Sequence, residues 1–535
     1  MEQLRGDFAW VVPAQFNMGT TCSDAQRQSD PALVHERLNG AVETYTFGDL
    51  TRMSNALARG LRGEGIVPGD RVAVVLPPSP AAAVSHLAIY KLGAIAVPLS
   101  TLFGPDALEV RLRDSGARMV VTDAAGAGRL DELVDELPAL ERVVLTEPGV
   151  SRFPALQLDE LTHGDGPSFV PVSTMASDPA LLIYTSGTTG PPKGALHAHR
   201  VLLGHLPGFE LSHEFFPMPG DLFWSPAEWA WIGGLLDVLM PSLFHGRPLL
   251  VAEGSGPFDP QGALELMARH GVKNAFIPPT ALKMMRRVDA RVPGTLRLRT
   301  VVSGGEALGE EMHQWARENL GVTVNEIFGQ TECNYVVGNC TGLYPVREGS
   351  MGCAYPGHEV GIVDEDGRAL AAGATGEVAI RQPDPVAFLG YWGNPGATAA
   401  KHRGDWLVTG DFARLDEDGY FWYVGRQDDL INSSGHRIGP TEIEGTLMKH
   451  PGVALAAVIG VPDAIRGEAV KAFVVPRPGF EPDDRLTTDI QAFVKTRLAA
   501  YEYPRMITFV DEIPITTTGK VRRTELRELH RQTEG

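Results

Sequence analysis

The segment Tyr184–Gly194 carries the residue types with which proteins hold phosphate groups. It contains three threonines, one serine, three glycines and a single lysine, Lys193, and it follows the apolar run 180–184, which predicts a short buried strand. Glycines let several backbone amides point into one concavity, hydroxyl groups add donors that rotate to fit, and the lysine adds positive charge. Lys193 follows a proline and precedes a glycine, whereas the Walker pattern has glycine before the lysine and serine or threonine after it. We therefore predict a polyphosphate-binding loop of another kind.

Four further segments have residues suited to other parts of a nucleotide. Two glycines in 303–307 follow a predicted strand and leave room for a flat ring, and segment 325–332 ends in a carboxylate, Glu332, which suits magnesium. Asp411 follows a glycine and can accept hydrogen bonds from ribose hydroxyls, and Lys520 ends a turn rich in threonine and glycine. Taken singly, each segment has a plainer explanation as a tight turn or a solvated loop.

The composition is that of a globular chain with an acidic balance. The 535 residues are 43% hydrophobic and 21% charged, and 47 basic against 66 acidic residues give a net charge of −19. This charge argues against a nucleic-acid-binding protein that uses a broad basic face. The four cysteines form no CxxC pair, and no segment resembles a signal peptide or a membrane span. These features predict a cytoplasmic protein with free thiols, and they do not indicate an oligomeric state.

The elements that would position these residues alternate between strands and helices through about the first 350 residues. The alternation predicts parallel sheets covered by helices on both faces, with ligands beyond the carboxyl ends of the strands. One of these helices is predicted over residues 44–66, announced by Thr46–Asp49. Short strands joined by Asp/Gly turns then predict a small antiparallel sheet or barrel. A compact α+β unit follows, whose first helix is predicted to begin with a capping box at Thr441–Glu444.

Considered together, these segments make the chain similar to the adenylate-forming superfamily, which includes acyl-CoA synthetases, adenylation domains and beetle luciferases. The matching segments occur in the family's order and span most of the chain: Tyr184–Gly194, Ser303–Ala307, Phe328–Glu332, Thr409–Asp411, Gly425–Arg437 and Thr518–Lys520. The resemblance implies an α/β fold with a large N-terminal domain, residues 1–427, of two doubly wound sheets and a small β-barrel. A smaller mobile α+β domain would occupy residues 428–535. The implied activity is that of an AMP-forming acyl-CoA synthetase, which uses ATP, Mg²⁺ and coenzyme A.

The resemblance also implies residue roles in the first half-reaction, in which a carboxylate attacks the α-phosphorus of ATP. Lys520 would bridge the attacking carboxylate and the α-phosphate, while Thr185 would hold phosphate and Glu332 magnesium. Further phosphate contacts would come from Ser186, Gly187, Thr188, Thr189, Gly190, Lys193 and Thr331. The rest of the nucleotide would lie against Gly304, Gly305, Glu306, Ala307, Glu326, Phe328, Gly329, Gln330, Asp411 and Arg426.

In the second half-reaction a thiol attacks the acyl-adenylate. The resemblance implies that the C-terminal domain first rotates about a hinge at Asp428, which withdraws Lys520. Rotation would bring up Ser434 and Gly435, which leave room for a pantetheine chain, and Arg437, which contacts phosphate. An ordinary interdomain linker is the plainer explanation, but Arg-x-Asp-Asp followed by Ser-Gly-His-Arg is too particular for one.

The acyl pocket is implied to lie partly along residues 225–234. Its wall would be formed by Trp231, Ile232, Gly233, Gly304 and Gly329. Acetate-specific relatives have a tryptophan in place of Gly329 and a threonine in place of Gly233, so this pocket is predicted to be deeper than acetate needs. Because each buried methylene adds about 0.8 kcal/mol, we expect a short- to medium-chain or branched acid. No charged residue in these segments suggests an amino-acid substrate.

Several alternatives remain open at this point. Within the family, the chain can be an aryl-CoA ligase for benzoate-like acids, a stand-alone adenylation enzyme that loads a carrier protein, or a luciferase-like oxygenase. From a different class, the loop at Tyr184–Gly194 can belong to a P-loop ATPase or a nucleotide-binding regulator. Those proteins release ADP or nothing, whereas the adenylate-forming reaction releases AMP and pyrophosphate only when an acid is present.

Overall fold

The computed structural model describes residues 2–162, 168–185, 192–254, 256–287, 291–306, 308–433, 436–463, 467–498, 502–515 and 520–534. The chain divides into two compact units: the first comprises 1–347, 352–359 and 380–407, the second 348–351, 360–379 and 408–535. The domain boundary between 427 and 428 stays a prediction. Within the described ranges every helix is too short or too polar to cross a membrane. All four cysteines are buried, and they form no disulfide.

The secondary structure is mixed throughout. The helices are α1 Glu2–Asp7, α2 Met18–Thr21, α3 Phe47–Gly63, α4 Pro80–Lys91, α5 Pro105–Ser115, α6 Ala124–Asp131, α7 Leu158–Thr162, α8 Val201–Ser212, α9 Ile232–Gly234, α10 Met240–Phe244, α11 Pro260–His270, α12 Pro279–Arg287, α13 Glu310–Trp315, α14 Pro395–Ala400, α15 Pro440–Met448, α16 Asp484–Lys495 and α17 Arg523–Glu534. Leu235–Leu239 and Ala316–Leu320 are π-helical, and Gln427–Asp429 is a 3₁₀ turn. The strands are β1 Pro31–Glu36, β2 Val42–Thr46, β3 Arg71–Val75, β4 Ile95–Pro98, β5 Met119–Thr122, β6 Arg142–Leu145, β7 Ala155–Gln157, β8 Pro179–Thr185, β9 Lys193–Ala198, β10 Phe223–Trp224, β11 Leu249–Ala252, β12 Asn274–Phe276, β13 Thr300–Gly304, β14 Val324–Gln330, β15 Cys333–Gly338, β16 Ser350–Ala354, β17 Val360–Val363, β18 Thr375–Arg381, β19 Gly390–Tyr391, β20 His402–Arg403, β21 Trp406–Leu415, β22 Tyr420–Arg426, β23 Ile431–Ser433, β24 His436–Ile438, β25 Val453–Asp463, β26 Gly467–Pro476 and β27 Met506–Phe509.

The first unit contains two runs of parallel strands. One sheet has the order β19-β9-β8-β4-β3-β5-β6-β7, in which β3 pairs in parallel with β4 and β5, and β4 pairs in parallel with β8. The other run has the order β16-β15-β14-β13-β12-β10-β11-β1-β2, with β12, β13 and β14 parallel. The short strands β4 and β5 are buried at every position, as expected for strands with helices on both faces. The predicted α/β class is therefore confirmed.

The second unit is richer in antiparallel pairing. Strands β17, β18, β21 and β22 are neighbours in that order, and β21 pairs antiparallel with β22. A separate five-stranded sheet has the order β24-β23-β26-β25, with β27 parallel to β26. Apolar residues of α15, α16 and these strands form its core, including Ile443, Val458 and Ile490. This part of the chain agrees with the predicted change from α/β to antiparallel and α+β patterns.

The two predicted helix starts have different outcomes. The helix predicted over 44–66 is α3, but it begins at Phe47 because residues 44–46 belong to β2. Thr46 caps it: its side chain accepts from the Asp49 amide while the Asp49 side chain accepts from the Thr46 amide. The capping box at Thr441–Glu444 is wrong, because α15 begins at Pro440 after an uncapped Gly439. Glu444 instead accepts from the Val458 amide at 2.8 Å and pairs with Arg523 at 2.6 Å. Tertiary contacts therefore take the carboxylate that the local pattern had assigned to the cap.

Candidate active site

The predicted phosphate loop connects the two strands of a β-hairpin. Strand β8 continues to Thr185, which pairs with Lys193 at the start of the antiparallel strand β9. Because β8 runs parallel to β4, Thr185 lies at the carboxyl end of a parallel sheet, where ligands bind in such folds. Tyr184 anchors the base by donating to Asp114 Oδ2 at 2.6 Å. The remaining predicted phosphate-binding residues of the loop lie outside the described ranges: Ser186, Gly187, Thr188, Thr189 and Gly190.

A second hairpin carries the predicted magnesium ligand. Strand β14 runs parallel to β13 and turns at Thr331 and Glu332 into the antiparallel strand β15, with Gln330 paired to Cys333. The Glu332 residue is only 8% exposed, although it sits at a turn. A glutamate in a solvated turn would be exposed, so the burial of Glu332 indicates that neighbouring residues hold its carboxylate in place.

The segment 388–392 joins these two hairpins within the first unit. The Phe388 amide donates to Glu332 O at 2.9 Å, and the Trp392 amide donates to Gly194 O at 2.7 Å. Between them, the Tyr391 hydroxyl donates to Glu332 Oε1, and Lys193 Nζ lies 5.5 Å from the centre of the Tyr391 ring. Tyr391 thus connects the two predicted phosphate and metal residues. Sequence reasoning missed it, and the signal for it was the aromatic Gly-Tyr-Trp-Gly turn at 390–393.

The Glu332 carboxylate fits a magnesium ion bound together with phosphates. One of its oxygens, Oε1, accepts from Tyr391, while Oε2 accepts no hydrogen bond from any described residue. Mg²⁺ usually takes one or two carboxylates and completes its octahedron with substrate phosphates and waters. A buried carboxylate with one fixed and one available oxygen meets that requirement.

The segment predicted to flank adenine is closely packed against β14. A Cβ atom at Gly304 would lie 2.6 Å from Ile327 Cγ1 and 2.9 Å from Ile327 O, so this position requires glycine. Gly305 has φ +94°, and nothing lies within 4 Å of its Cβ position. Glu306 pairs with Lys283 at 3.6 Å. Ala307 lies outside the described residues.

Glu326, predicted as a nucleotide contact, uses both carboxylate oxygens inside the protein. Oε2 accepts from the Leu308 amide at 3.0 Å, and Oε1 lies 2.8 Å from His313 Nε2. Glu326 therefore fixes the segment 308–313 to strand β14 through Leu308 and His313. Four residues that follow Glu326 in the strand and the turn are partly exposed and therefore accessible to a ligand: Phe328, Gly329, Gln330 and Thr331.

The predicted ribose residues pair with each other in the second unit. Asp411 and Arg426 face each other across β21 and β22, and Arg426 Nη1 lies 3.9 Å from Asp411 Oδ1. The Tyr423 hydroxyl lies 3.3 Å from the same oxygen. Burial opposes the charge on Arg426, but Asp411 and neighbouring acidic groups raise its pKa above the ordinary value. Sequence reasoning did not identify Tyr423.

The structure describes some of the residues predicted to form the hinge and to contact coenzyme A. Asp428 lies in the 3₁₀ turn Gln427–Asp429, and its carbonyl accepts from Arg527 Nη2 at 2.8 Å. Arg523 pairs with the neighbouring Asp429 at 3.3 Å. Ser434 and Gly435 lie outside the described residues, and only the backbone of Arg437, in β24, is described. Lys520 is exposed and directly precedes Val521, which bridges to Ile515.

The predicted acyl wall combines core and partly exposed residues. Trp229 is 3% exposed and belongs to the core, whereas Trp231, Ile232 and Gly233 are partly exposed. The Trp231 and Phe103 rings meet edge to face with their centres 5.9 Å apart. The guanidinium carbon of Arg111 lies 4.1 Å from the centre of the Phe103 ring. The segment 231–233 is therefore the part of the predicted pocket with surface to offer an acid.

The two small residues of the predicted pocket differ in the space around them. A Cβ at Gly233 would meet the Phe276 ring at 3.5 Å and Asp237 Oδ2 at 3.6 Å, which are ordinary contacts. A Cβ at Gly329 would lie 2.4 Å from Asn334 Oδ1 and 2.5 Å from the Tyr335 amide nitrogen. Gly233 therefore leaves room for a methyl group, while Gly329 permits a close approach of β15.

Asp237 is a further residue that sequence reasoning missed. It lies one turn after Gly233 in the apolar run 235–240, is 2% exposed, and accepts from Asn334 Nδ2 at 2.6 Å. Burial raises the pKa of its carboxyl well above the ordinary value, although the bond from Asn334 opposes this. The signal was the spacing of four residues from Gly233, which places both on one side of a helix.

Comparison with known proteins decides the family. A model described as AMP-binding enzyme matches residues 22–392, and one described as AMP-binding enzyme C-terminal domain matches residues 442–520. The chain belongs to the AMP-binding enzymes. It is 34% identical to the mitochondrial acyl-coenzyme A synthetase ACSM5 of Homo sapiens, over 97% of this chain and 91% of that protein.

Solved structures agree with this membership. The crystal structure of Brucella canis acyl-CoA synthetase superposes on this AMP-binding enzyme with a TM-score of 0.75 at 34% identity, covering 100% of this chain and 98% of that chain. A benzoate CoA ligase from Burkholderia xenovorans LB400 gives a TM-score of 0.80 at 28% identity, covering 96% and 100%. This AMP-binding enzyme is an AMP-forming acyl-CoA synthetase, a ligase whose substrates are a carboxylic acid, ATP and coenzyme A. The P-loop ATPase alternative is thereby excluded.

Proposed function

We propose that this synthetase activates a short- to medium-chain or branched fatty acid. The observation that carries the proposal is the room for a methyl group at Gly233, whose Cβ position lies 3.5 Å from the Phe276 ring and 3.6 Å from Asp237 Oδ2. The Phe276 side of this position is apolar, and each methylene buried against it contributes about 0.8 kcal/mol, or about 4-fold in affinity. Acetate would leave this space unfilled.

The residues of the proposed site act at two places, namely on the phosphates that leave and on the bond that forms. Lys193 and Thr185, paired across the β8–β9 hairpin, bind the phosphates that leave as pyrophosphate. Glu332, held by Tyr391, binds Mg²⁺, which neutralises phosphate charge when present. Lys520 neutralises the attacking carboxylate and the α-phosphate as the new bond forms.

The remaining roles concern the nucleoside and the thiol. Asp411 and Arg426 hold the ribose, which suits their paired positions on β21 and β22. The 303–307 segment receives the adenine. For the second half-reaction, the C-terminal segment turns about Asp428 and presents 434–437 to coenzyme A, so that the thiol attacks the acyl-adenylate and releases AMP.

A pyrophosphate-release assay over a carboxylate panel tests the proposal. The panel runs from acetate to octanoate and includes isobutyrate, with ATP, Mg²⁺ and coenzyme A at fixed concentrations. We expect kcat/KM to rise from acetate to propionate and beyond, to a maximum at a longer or branched acid. Acetate as clearly the best substrate would refute the proposal.

The benzoate-like alternative is tested in the same panel. The structural similarity to a benzoate CoA ligase supports including benzoate and its ring-substituted analogues. A kcat/KM for benzoate that exceeds those of all aliphatic acids would select the aryl-CoA ligase instead. Thioester formation followed with free coenzyme A confirms the second half-reaction for whichever acid is best.

A further inference from the structure

The carboxyl group of Asp237 has one satisfied oxygen and one unsatisfied oxygen. Oδ1 accepts from Asn334 Nδ2 at 2.6 Å, whereas Oδ2 accepts no hydrogen bond from any described residue. The residue as a whole is only 2% exposed. A buried carboxyl oxygen without a hydrogen-bond partner is costly, so Oδ2 is suited to a partner that a ligand supplies.

Gly233 leaves room for a methyl-sized group beside this oxygen. The Cβ position of Gly233 lies 3.6 Å from Asp237 Oδ2 and 3.5 Å from the Phe276 ring. Asn334, which holds the other oxygen, lies against the Cβ position of Gly329 at 2.4 Å. Asp237 and Asn334 thus form a polar pair next to both glycines of the predicted acyl pocket.

The described residues around Asp237 supply no positive charge. His205 Nε2 lies 3.9 Å from Oδ1, but Nδ1 of that ring lies 2.7 Å from Val201 O, and a carbonyl oxygen only accepts. Nδ1 therefore carries the imidazole proton, and Nε2 presents a lone pair to Asp237. Burial lowers the pKa of His205 to about 3, so the ring is neutral. Such surroundings favour a protonated Asp237 with the proton on Oδ2, because Oδ1 already accepts from Asn334.

We infer that Asp237 is a specificity-determining residue that hydrogen-bonds a hydroxyl group on the acyl chain of the substrate. The inference rests on the proposed function and narrows its substrate class to hydroxylated short- or medium-chain acids. A carboxylic O–H donates to the substrate hydroxyl, which remains free to donate elsewhere. An unsubstituted acid of the same size leaves Oδ2 unpaired, as it is in the free protein.

The test compares acids that differ by one isosteric replacement. The pairs are 3-hydroxybutyrate with 3-methylbutyrate and 4-hydroxybutyrate with pentanoate, each with the amino acid of the same skeleton as a third arm. In the wild-type synthetase we expect kcat/KM from pyrophosphate release to favour the hydroxy acid in at least one pair by about 10-fold, the upper end for a neutral hydrogen bond. Asp237→Leu should remove that preference, and Asp237→Asn, which keeps a donor, should retain much of it.

A matched control is Ser242→Ala. Ser242 is fully buried in the next helix, α10, and its hydroxyl has no hydrogen-bond partner in the part of the chain that the structure describes, so the change removes a buried polar atom outside the predicted pocket. It should leave the hydroxy-to-methyl ratio unchanged. Because the readout is a ratio within one protein preparation, a general loss of folded Asp237→Leu protein does not move it. If Asp237→Leu does not fold, the ratio in Asp237→Asn and in Asp237→Ala replaces it.

Three outcomes would overturn the inference. One is a wild-type preference for the methyl compound in both pairs, and another is a hydroxy preference that survives in Asp237→Leu. The third is a preference for the amino compound, which would assign Asp237 an ionic role. Absence of pyrophosphate release with every acid would instead reject the proposed function itself, and the inference with it.

Discussion

Replacing Gly233 by alanine is the sharpest test of where the acyl chain ends. The added methyl would lie at ordinary contact distance, 3.5 Å from the Phe276 ring and 3.6 Å from Asp237 Oδ2, so nothing has to move. Gly233 lies in the short helix α9 and does not have a positive φ, hence alanine meets no backbone strain. The change therefore fills space without disturbing the surrounding structure.

The expected effect follows from the methylenes that the new methyl displaces. An unsubstituted acid long enough to reach the Gly233 space loses about 4-fold in kcat/KM for one displaced methylene and about 15-fold for two, at about 0.8 kcal/mol each. Acids too short to reach it keep their wild-type values. The maximum of the chain-length profile should therefore move to a shorter acid in Gly233→Ala.

The assay is the pyrophosphate-release series from acetate to octanoate, run on the wild type and the variant. Gly128→Ala is the control, because Gly128 lies inside α6 and nothing is within 4 Å of its Cβ position. It reproduces the glycine-to-alanine change in a helix without filling any space. A uniform loss for all acids in Gly233→Ala, or an unchanged profile, would refute the placement of Gly233 in the acyl pocket.

The contrasting variant is Gly329→Ala. Its Cβ would lie 2.5 Å from the Tyr335 amide nitrogen, a backbone atom, so the β14–β15 hairpin would have to shift. Because that hairpin carries Glu332, we expect kcat to fall for all acids alike, without movement of the profile maximum. A selective loss of long acids in Gly329→Ala would place the pocket end there instead.

Three further predictions concern charge and protonation. Lys520→Gln should lower acid-dependent pyrophosphate release by at least about 100-fold while a supplied acyl-adenylate is still converted to thioester; equal losses would contradict the assigned role. Tyr391→Phe removes the donor to Glu332 and should raise the Mg²⁺ concentration for half-maximal rate by up to about 10-fold; an unchanged Mg²⁺ requirement would contradict it. In urea unfolding, the free energy of unfolding of Asp237→Asn relative to wild type should increase as the pH rises above about 4. Burial raises the pKa of Asp237, so the folded wild type binds this proton more tightly than the unfolded chain and loses stability with rising pH; a pH-independent difference would argue against a protonated Asp237.

Local patterns predicted the elements around the site well, because they depend on neighbours in sequence. The run 180–184 is strand β8, Pro179–Thr185, and the helix announced by Thr46–Asp49 is α3. The box at Thr441–Glu444 failed for the opposite reason: Glu444 binds Arg523, 79 residues away, and no local pattern contains that contact. Local propensity determines where a helix or strand begins when no distant residue competes for the same hydrogen-bonding groups. Where a distant residue competes, tertiary contacts determine it instead.

The same distinction separates the predicted site residues from those that were missed. Lys193 and Glu332 stand in recognisable motifs, but Tyr391, which touches both, is 59 residues from Glu332 in sequence. Asp237 lies only one turn beyond Gly233, but outside the segment 225–234 that the resemblance assigns to the pocket. A motif contains the residues that the common chemistry needs, whereas the residues that distinguish one substrate from another lie beside it. In the proposed pocket, the buried carboxylate of Asp237 beside Gly233 is therefore a stronger indication of the acid than any residue inside the motifs.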